Sequence, residues 1–304
     1  MFNKVLICGV GLIGGSFALA LKKAGAARQI VGVGRSAASL ARAQELGIID
    51  AAATDIAAAM DGADLVLIAA PVAQTGAILR SLAPYLKPGV IVTDAGSTKG
   101  DVVAAARAEL GDMINQFVPG HPIAGRESNG PDAAIDDLYV GKKVVLTALP
   151  ENSAADVERV ASAWLACGAV IHRLSAQEHD AVFASVSHLP HVLAYALVAD
   201  IAAKPHAATL FQYAASGFRD FTRISGSSPE MWRDISLANR DALLQEVDAY
   251  LMQLTRMRQM LAESDGAALE DVYTTAQKAR LDWMAAIEAA EKNRREPARE
   301  QGGD

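Results

Sequence analysis

Short apolar runs alternate with alanine-rich stretches through the first 95 residues of the chain. Lys4–Cys8 (KVLIC), Gln29–Val33 (QIVGV), Asp64–Ala69 (DLVLIA) and Val90–Thr93 (VIVT) are continuous apolar segments bounded by Gly, Pro or Asp. Runs of that length and setting predict strands buried on both faces. Gly15–Gly25 and Ser36–Gly47 carry helical spacing, each stopped by a glycine. Strands alternating with helices predict a parallel sheet with right-handed crossovers. Three further runs, Gln116–Val118, Lys143–Thr147 and Val170–Leu174, are expected to extend the same sheet, with a helix over Ser153–Cys167 between the last two.

The pattern changes after Ser175. Gln177–Ala203 is one long apolar-periodic stretch interrupted by Pro190, and Pro229–Glu263 and Leu269–Lys292 are helical patterns without strand signals. Ser227-Ser228-Pro229-Glu230 reads as a helix start: a capping serine, proline in the first turn, then an acid facing the positive helix end. The predicted boundary therefore lies near residue 175. It separates an α/β domain over 1–174 from an all-helical domain over 175–292, with 293–304 (NRREPAREQGGD) expected to be a disordered tail. The length of 304 residues suits two domains.

Composition narrows the class. Lys plus Arg is 28 and Asp plus Glu 35, a net charge of −7 with no dense basic run, which argues against nucleic acid or an anionic membrane as partner. No run approaches the roughly 18 uninterrupted apolar residues of a membrane span. The N-terminal apolar run breaks into glycines and lacks a signal-peptide layout. Cys8 and Cys167 make neither a disulfide framework nor a metal cluster. A cytoplasmic enzyme is the expectation.

Gly9-Val10-Gly11-Leu12-Ile13-Gly14 follows a predicted strand and opens a predicted helix, the context in which GxGxxG binds a dinucleotide. Gly9 permits the tight turn, Gly11 lets the backbone approach a pyrophosphate, and Gly14 allows close helix–sheet packing. Free N–H groups at the helix start, around Leu12 and Ile13, then bind the phosphates. The first domain is thus expected to be of Rossmann type. An NAD site usually places Asp or Glu at the end of the second strand. Here the chain reads Val33-Gly34-Arg35-Ser36. Without the carboxylate a 2′-phosphate is not repelled, and Arg35 and Ser36 are placed to hold one, which favours NADP. NAD would bind with one contact fewer. Ala70, Pro71 and Ser97 complete the expected cofactor contacts.

A dinucleotide domain leaves the substrate open. Asp94–Gly100 (DAGSTKG) follows a strand end, the edge where α/β sheets place ligands. Gly120–Gly125 (GHPIAG) puts His121 in a glycine- and proline-bounded turn, where a neutral imidazole suits proton abstraction from an alcohol. Alone, His121 is ambiguous, and a structural histidine is the better reading. In Ser187-His188-Leu189-Pro190-His191 the proline has no N–H, so the Val186 carbonyl loses its helical partner and a kink is expected. Ser187 and His191, four apart, share a face. No further ligand stands at zinc spacing, so no metal site is expected. Arg223 of Phe218–Arg223 (FRDFTR) is a carboxylate fork, or else a surface ion pair with Asp220. His172, His179 and His206 carry no motif and read as structural or exposed.

Taken in order, GVGLIGGS, DAGSTKG, GHPIAG, SHLPH and FRDFTRI with a following MW resemble the prephenate/arogenate (cyclohexadienyl) dehydrogenase family of tyrosine biosynthesis, over about residues 4 to 285. The resemblance implies a nucleotide-binding domain followed by a helical domain that builds a homodimer. It implies conversion of prephenate, or its amino analogue arogenate, to 4-hydroxyphenylpyruvate or tyrosine with loss of CO2. Carried over by position, it makes His121 the catalytic histidine, oriented by a hydrogen bond from Ser97, and Arg223 the ligand of the ring carboxylate. His191 and Ser187 line the substrate pocket, Trp232 stands in its wall, and Glu127 is an acidic gate with Asp220 as its neighbour.

Two rivals are weaker. A β-hydroxyacid dehydrogenase needs a catalytic lysine with a nearby asparagine on a helix, but Lys204 precedes Pro205 and Lys278 has no asparagine within a turn. A non-catalytic NADP sensor would have no use for His121, Ser97 and Arg223 together. The apolar helical region is expected to pool its faces across a two-fold axis. With no appended regulatory domain expected, tyrosine, where it inhibits, acts at the active site.

Overall fold

The computed structural model describes residues 1–126 and 128–295 of the chain. In chain order its α/β part reads β1 (Phe2–Cys8), α1 (Leu12–Lys23), β2 (Ala27–Val33), α2 (Ala37–Glu45), β3 (Ala51–Ala52), α3 (Ile56–Met60), β4 (Leu65–Ile68), α4 (Thr75–Leu82), β5 (Ile91–Asp94), α5 (Gly100–Leu110), β6 (Phe117–Val118), β7 (Gly120–Pro122), β8 (Lys143–Leu146), α6 (Ala154–Ala166) and β9 (Val170–Arg173). Six strands form one parallel sheet in the order β3-β2-β1-β4-β5-β6. This is the doubly wound Rossmann order, with its switch point between β1 and β4. The central strands are apolar on both faces because both faces are covered. Phe17, Tyr139 and Trp164 anchor one apolar layer, and Leu79, Leu82, Val102 and Phe117 the other.

The later strands correct the expectation of a single sheet. Only β6 joins it; β8 and β9 pair with β7 in a separate three-stranded sheet, β7 antiparallel and β9 parallel to β8. Pro119, between β6 and β7, has no N–H with which to continue the ladder. The next amide, Gly120 N–H, donates instead to Asp94 Oδ1 at 3.0 Å. GHPIAG is therefore not simply a turn: His121 lies on β7, paired with Val145.

Helices follow. α7 (Ala176–Phe183) starts with a capping box between Ser175 and Glu178. A π-turn over Ala184–His188, in which the Leu189 N–H bonds the Ala184 carbonyl five residues back, leads into Pro190. Pro190 then falls in the first turn of α8 (Leu189–Ala202), where a missing N–H costs least. Residues 176–202 are, by length and composition, apolar enough to cross a membrane. Buried His179, Asp180 and His188 interrupt that run.

α9 (Ala207–Gln212), α10 (Ser216–Thr222), α11 (Pro229–Ala238) and α12 (Arg240–Ala262) come next. Ser228 caps α11 by accepting the Met231 N–H, as its sequence predicts. Asn239 divides into two helices what reads as one pattern from Pro229 to Glu263.

By contacts the chain falls into Met1–Glu246 and Val247–Asp304, a later division than residue 175. The reason is that α7 packs on α5, and α11 on the turn after β4. The second unit holds the end of α12 and α13 (Gly266–Arg295), with Asp265 accepting the Ala268 N–H at the start of α13. Residues 293–295, read as the start of a tail, belong to α13, and 296–304 lie outside the described residues.

Candidate active site

The glycine loop shows a distinct constraint at each of its three glycines. Gly9 has φ +102°, and a Cβ there would lie 2.7 Å from the Ala69 carbonyl oxygen. A Cβ on Gly14 would lie 2.2 Å from the Gly9 carbonyl oxygen and 2.8 Å from Ile7 Cγ2. Gly11 faces open space, with nothing within 4 Å of such a Cβ. It is also the N-cap of α1 and has no side-chain capping bond. The first N–H groups of α1 are therefore presented beside a backbone that a ligand can approach closely. These features fit a dinucleotide pyrophosphate. Tyr139 Oη donates to the Ile13 carbonyl at 2.6 Å and fixes the start of the helix.

A cleft of about 810 Å³ opens at the carboxyl ends of β1, β4 and β5. Gly11, Leu12, Ile13, Ala70, Pro71 and Ser97 from the α/β loops line it, as do His121 of β7 and Ser187, His191, Arg223 and Trp232 from the helical segments. Gly9 and Gly14 stand behind the wall as packing positions. Gly34, Arg35 and Ser36 are exposed outside the cleft. The Ser36 hydroxyl caps α2, accepting the Ser39 N–H at 3.1 Å.

Under the cleft floor lies a buried charge pair. The Lys99 ammonium and Asp94 Oδ2 are in direct contact, with side chains 0% and 1% exposed. Asp94 also accepts the Gly96 N–H at 2.8 Å and the Gly120 N–H at 3.0 Å. One carboxylate thus ties the loop after β5 to β7, and with it the backbone next to His121. Lys99 is spent on this tie and does not line the cleft.

His121 is half-buried, and its Nδ1 lies 2.8 Å from His179 Nε2. Burial, reinforced by His179, Lys99 and His188 nearby, holds its pKa well below the usual imidazole range, so the ring is neutral. Ser97 was expected to hydrogen-bond His121. It lines the same cleft, but the observed partner of Nδ1 is His179. His191 packs its ring on Trp232 at 3.4 Å between centroids, 19° from parallel, and its Nδ1 donates to the Ser187 carbonyl at 2.8 Å. Burial also lowers the His191 pKa.

Residues 17–173 match the family model for the prephenate dehydrogenase nucleotide-binding domain, and 175–274 that for the prephenate dehydrogenase dimerization domain. The chain belongs to the prephenate dehydrogenase family. It is 38% identical to the cyclohexadienyl dehydrogenase of Zymomonas mobilis, over 92% of this chain and 96% of that one. It superposes on Aquifex aeolicus prephenate dehydrogenase, solved with hydroxyphenyl propionate and NAD+, with TM-score 0.86 and 36% identity over 94% of this chain and 99% of the other. Synechocystis arogenate dehydrogenase gives TM-score 0.78 and 27% identity over 92% and 99%.

The cleft brings together His121, Ser97, Ser187, His191, Arg223 and Trp232. It does not include Asp220, whose carboxylate is 3.9 Å from the neighbouring Arg219 with both side chains at least 75% exposed. On the short α10 that side chain takes the solvent face. Glu127, its expected neighbour, lies outside the described residues. Sequence reasoning passed over Arg126, which lines the cleft, and His179 and Asp180, which stand behind His121. The signal for the last pair was an acid beside a histidine at the start of the long helical stretch. His188 and Asn239 bond each other, with Asn239 Nδ2 3.1 Å from His188 Nδ1 and 2.8 Å from the Asp180 carbonyl. They brace the helices around the site.

Proposed function

We propose that the protein oxidatively decarboxylates prephenate, arogenate or both, with a nicotinamide dinucleotide as hydride acceptor, in tyrosine biosynthesis. The observation that carries this reading is one cleft shared by the α1 N-terminus, a neutral His121 and Arg223. When bound, the nicotinamide supplies the hydride acceptor. The N–H groups of Leu12 and Ile13 and the Gly11 backbone hold the pyrophosphate, with Ala70, Pro71 and Ser97 along the same wall. His121 takes the proton of the ring hydroxyl, which a neutral imidazole can do and a charged one cannot. Arg223 binds the ring carboxylate and orients it, with no acid or base role. Loss of CO2 needs little from the protein because the product is aromatic. Prephenate carries a second carboxylate, for which Arg126 is the other cation on the cleft wall. His191, Ser187 and Trp232 complete the substrate wall.

Gly34 in place of an acid, with Arg35 and Ser36 beside it, supports NADP over NAD. Residues 1–174 would then be the cofactor-binding portion and 175–292 the substrate and dimerisation portion. The match to a dimerization domain supports a homodimer, as does the exposure of Leu251, Met252, Leu261, Leu281 and Trp283 by more than half. A monomer mass in solution would overturn it. Tyrosine inhibition, where present, should compete with substrate, and the protein should be cytoplasmic.

The test is the initial rate of nicotinamide reduction with prephenate and with arogenate, each against NAD and NADP. Reduction with at least one substrate, and a higher kcat/KM with NADP, is expected. No reduction in any of the four by folded protein shown to bind cofactor would sink the activity. Equal or better rates with NAD would sink the cofactor preference alone.

A further inference from the structure

Two residues without a motif stand in line behind His121. His121 Nδ1 is 2.8 Å from His179 Nε2, and His179 Nδ1 is 2.8 Å from Asp180 Oδ1. The Asp180 carboxylate is also held by backbone: the Lys99 N–H donates to Oδ1 at 2.8 Å and the Gly100 N–H to Oδ2 at 2.7 Å. Burial pushes the Asp180 carboxyl up, but hydrogen bonds from His179 and from the Gly100 and Lys99 amides outweigh it and leave it below its usual range. Asp180 is therefore an ionised carboxylate in a fixed orientation at the start of α5, where the helix field also favours it.

An ionised carboxylate only accepts hydrogen bonds. His179 must then carry its proton on Nδ1. Burial keeps that ring neutral, so its Nε2 is a bare acceptor. The contact with His121 needs a donor, and the remaining candidate is the His121 Nδ1–H. That assignment leaves His121 Nε2 without a proton. An unconstrained imidazole side chain favours the opposite tautomer, so the chain of contacts selects the less common form.

We propose that His179, anchored by Asp180, is a positioning residue that holds His121 in the tautomer with a bare Nε2, ready to accept a proton from a substrate in the cleft. The inference rests on the dehydrogenase reading only for the identity of the proton removed. Phe183 adds orientation, with its ring 4.9 Å from that of His121 and 4.5 Å from that of His179. When His121 takes the proton, its Nδ1–H stays bonded to His179, and the Asp180 charge stands two hydrogen bonds away. This parallels the orienting and charge-stabilising role of the acid in a catalytic triad, with a second imidazole interposed.

The test needs no substrate in its first arm. Full-length protein labelled with 15N-histidine reports each ring's tautomer from its two nitrogen shifts, and the signals missing from His121→Asn identify His121. At neutral pH the expected spectrum has His121 protonated on Nδ1 and bare on Nε2. A proton on Nε2 overturns the proposal, whatever the variants do. In the second arm, the His179→Asn amide still reaches Asp180 but leaves His121 Nδ1 without an acceptor, whereas the longer His179→Gln amide can still accept from it. His179→Asn should mix the His121 tautomers and lower kcat about 10- to 100-fold, with KM moved less than about threefold. His179→Gln should restore the tautomer and most of kcat. A His179→Asn protein with wild-type tautomer and kcat would also overturn the inference. Wild-type protein inactive on both substrates would remove the dehydrogenase reading and leave the tautomer measurement standing.

Discussion

Replacing Lys99 with methionine keeps the length of the side chain and removes its charge. In the wild-type protein Lys99 and Asp94 are 0% and 1% exposed, so the carboxylate left behind has no water to turn to. It retains the Gly96 and Gly120 N–H groups at 2.8 and 3.0 Å, which limit the loss without neutralising the charge. Breaking a buried pair from one side costs roughly 3–5 kcal/mol. An exposed pair such as Lys87–Asp61, with side chains 67% and 78% exposed, contributes little, so Lys87→Ala serves as the control. At about 2–4 °C per kcal/mol for a chain of this size class, Lys99→Met should lower Tm by on the order of 6–20 °C. Urea and thermal unfolding should be followed at one protein concentration, because the midpoint of the proposed dimer would depend on it. The same variant should lose kcat, since Gly120 precedes His121 and hangs on the disturbed carboxylate. Adding Asp94→Asn should recover part of the stability by removing the uncompensated charge. A Lys99→Met protein within about 1 kcal/mol of wild type would refute the argument that the buried charge pair holds this loop.

His121→Asn should lower kcat about 10²- to 10⁴-fold with a modest change in KM, whereas Arg223→Ala should mainly raise KM; steady-state kinetics with prephenate separate the two. Gly14→Ala should fail to fold or lose much stability, since its Cβ would meet the Gly9 carbonyl at 2.2 Å, while Gly11→Ala should fold normally and weaken dinucleotide binding. Circular dichroism and a cofactor titration decide this. Gly34→Asp should be tolerated, its Cβ meeting only Leu40 Cδ2 at 3.7 Å and Cγ at 3.8 Å, and should shift kcat/KM away from NADP. Burial depresses the His188 pKa from 6.5 to about 4. The unfolded chain therefore takes up a proton that the fold refuses, and stability should fall as pH drops from about 6.5 toward 4, by up to about 3 kcal/mol. A urea midpoint as steep with pH in His188→Asn as in wild type would refute that source.

Much of the fold was legible because its signals are local. The strands of the large sheet are apolar on both faces, and the glycine loop reads as a turn into a helix whatever surrounds it. The second sheet was not legible for the opposite reason. β8 and β9 are four residues each and carry no register information. Whether they join β6 depends on Pro119 and on an Asp94–Gly120 bond spanning 26 positions. The site divides in the same way. Ser97, His121, Ser187, His191, Arg223 and Trp232 stand in motifs that glycine, proline or a capping serine makes conspicuous. His179 looks like any helical histidine until β7 brings His121 to it from 58 residues away. Asp220 lies outside the cleft lining, and sequence does not say which face of a seven-residue helix meets solvent.

Membership in a motif does not by itself give a residue chemistry. In DAGSTKG the acid and the lysine neutralise each other beneath the cleft floor, and only Ser97 of the polar side chains lines the cleft. A substrate with two carboxylates must then find its counter-charge elsewhere in the cleft lining, where Arg126 and Arg223 stand. The helical SHLPH segment shows the same split. Ser187 and His191 face the cleft, while His188 is buried against Asn239. The reacting groups gain their precision from these holders: Asp94 and Lys99 place the His121 backbone, and Asp180, through His179, places its ring. On this view the reaction depends on polar bonds buried behind the cleft as much as on the side chains that line it. Variants of the holders should therefore lower kcat without any contact to substrate.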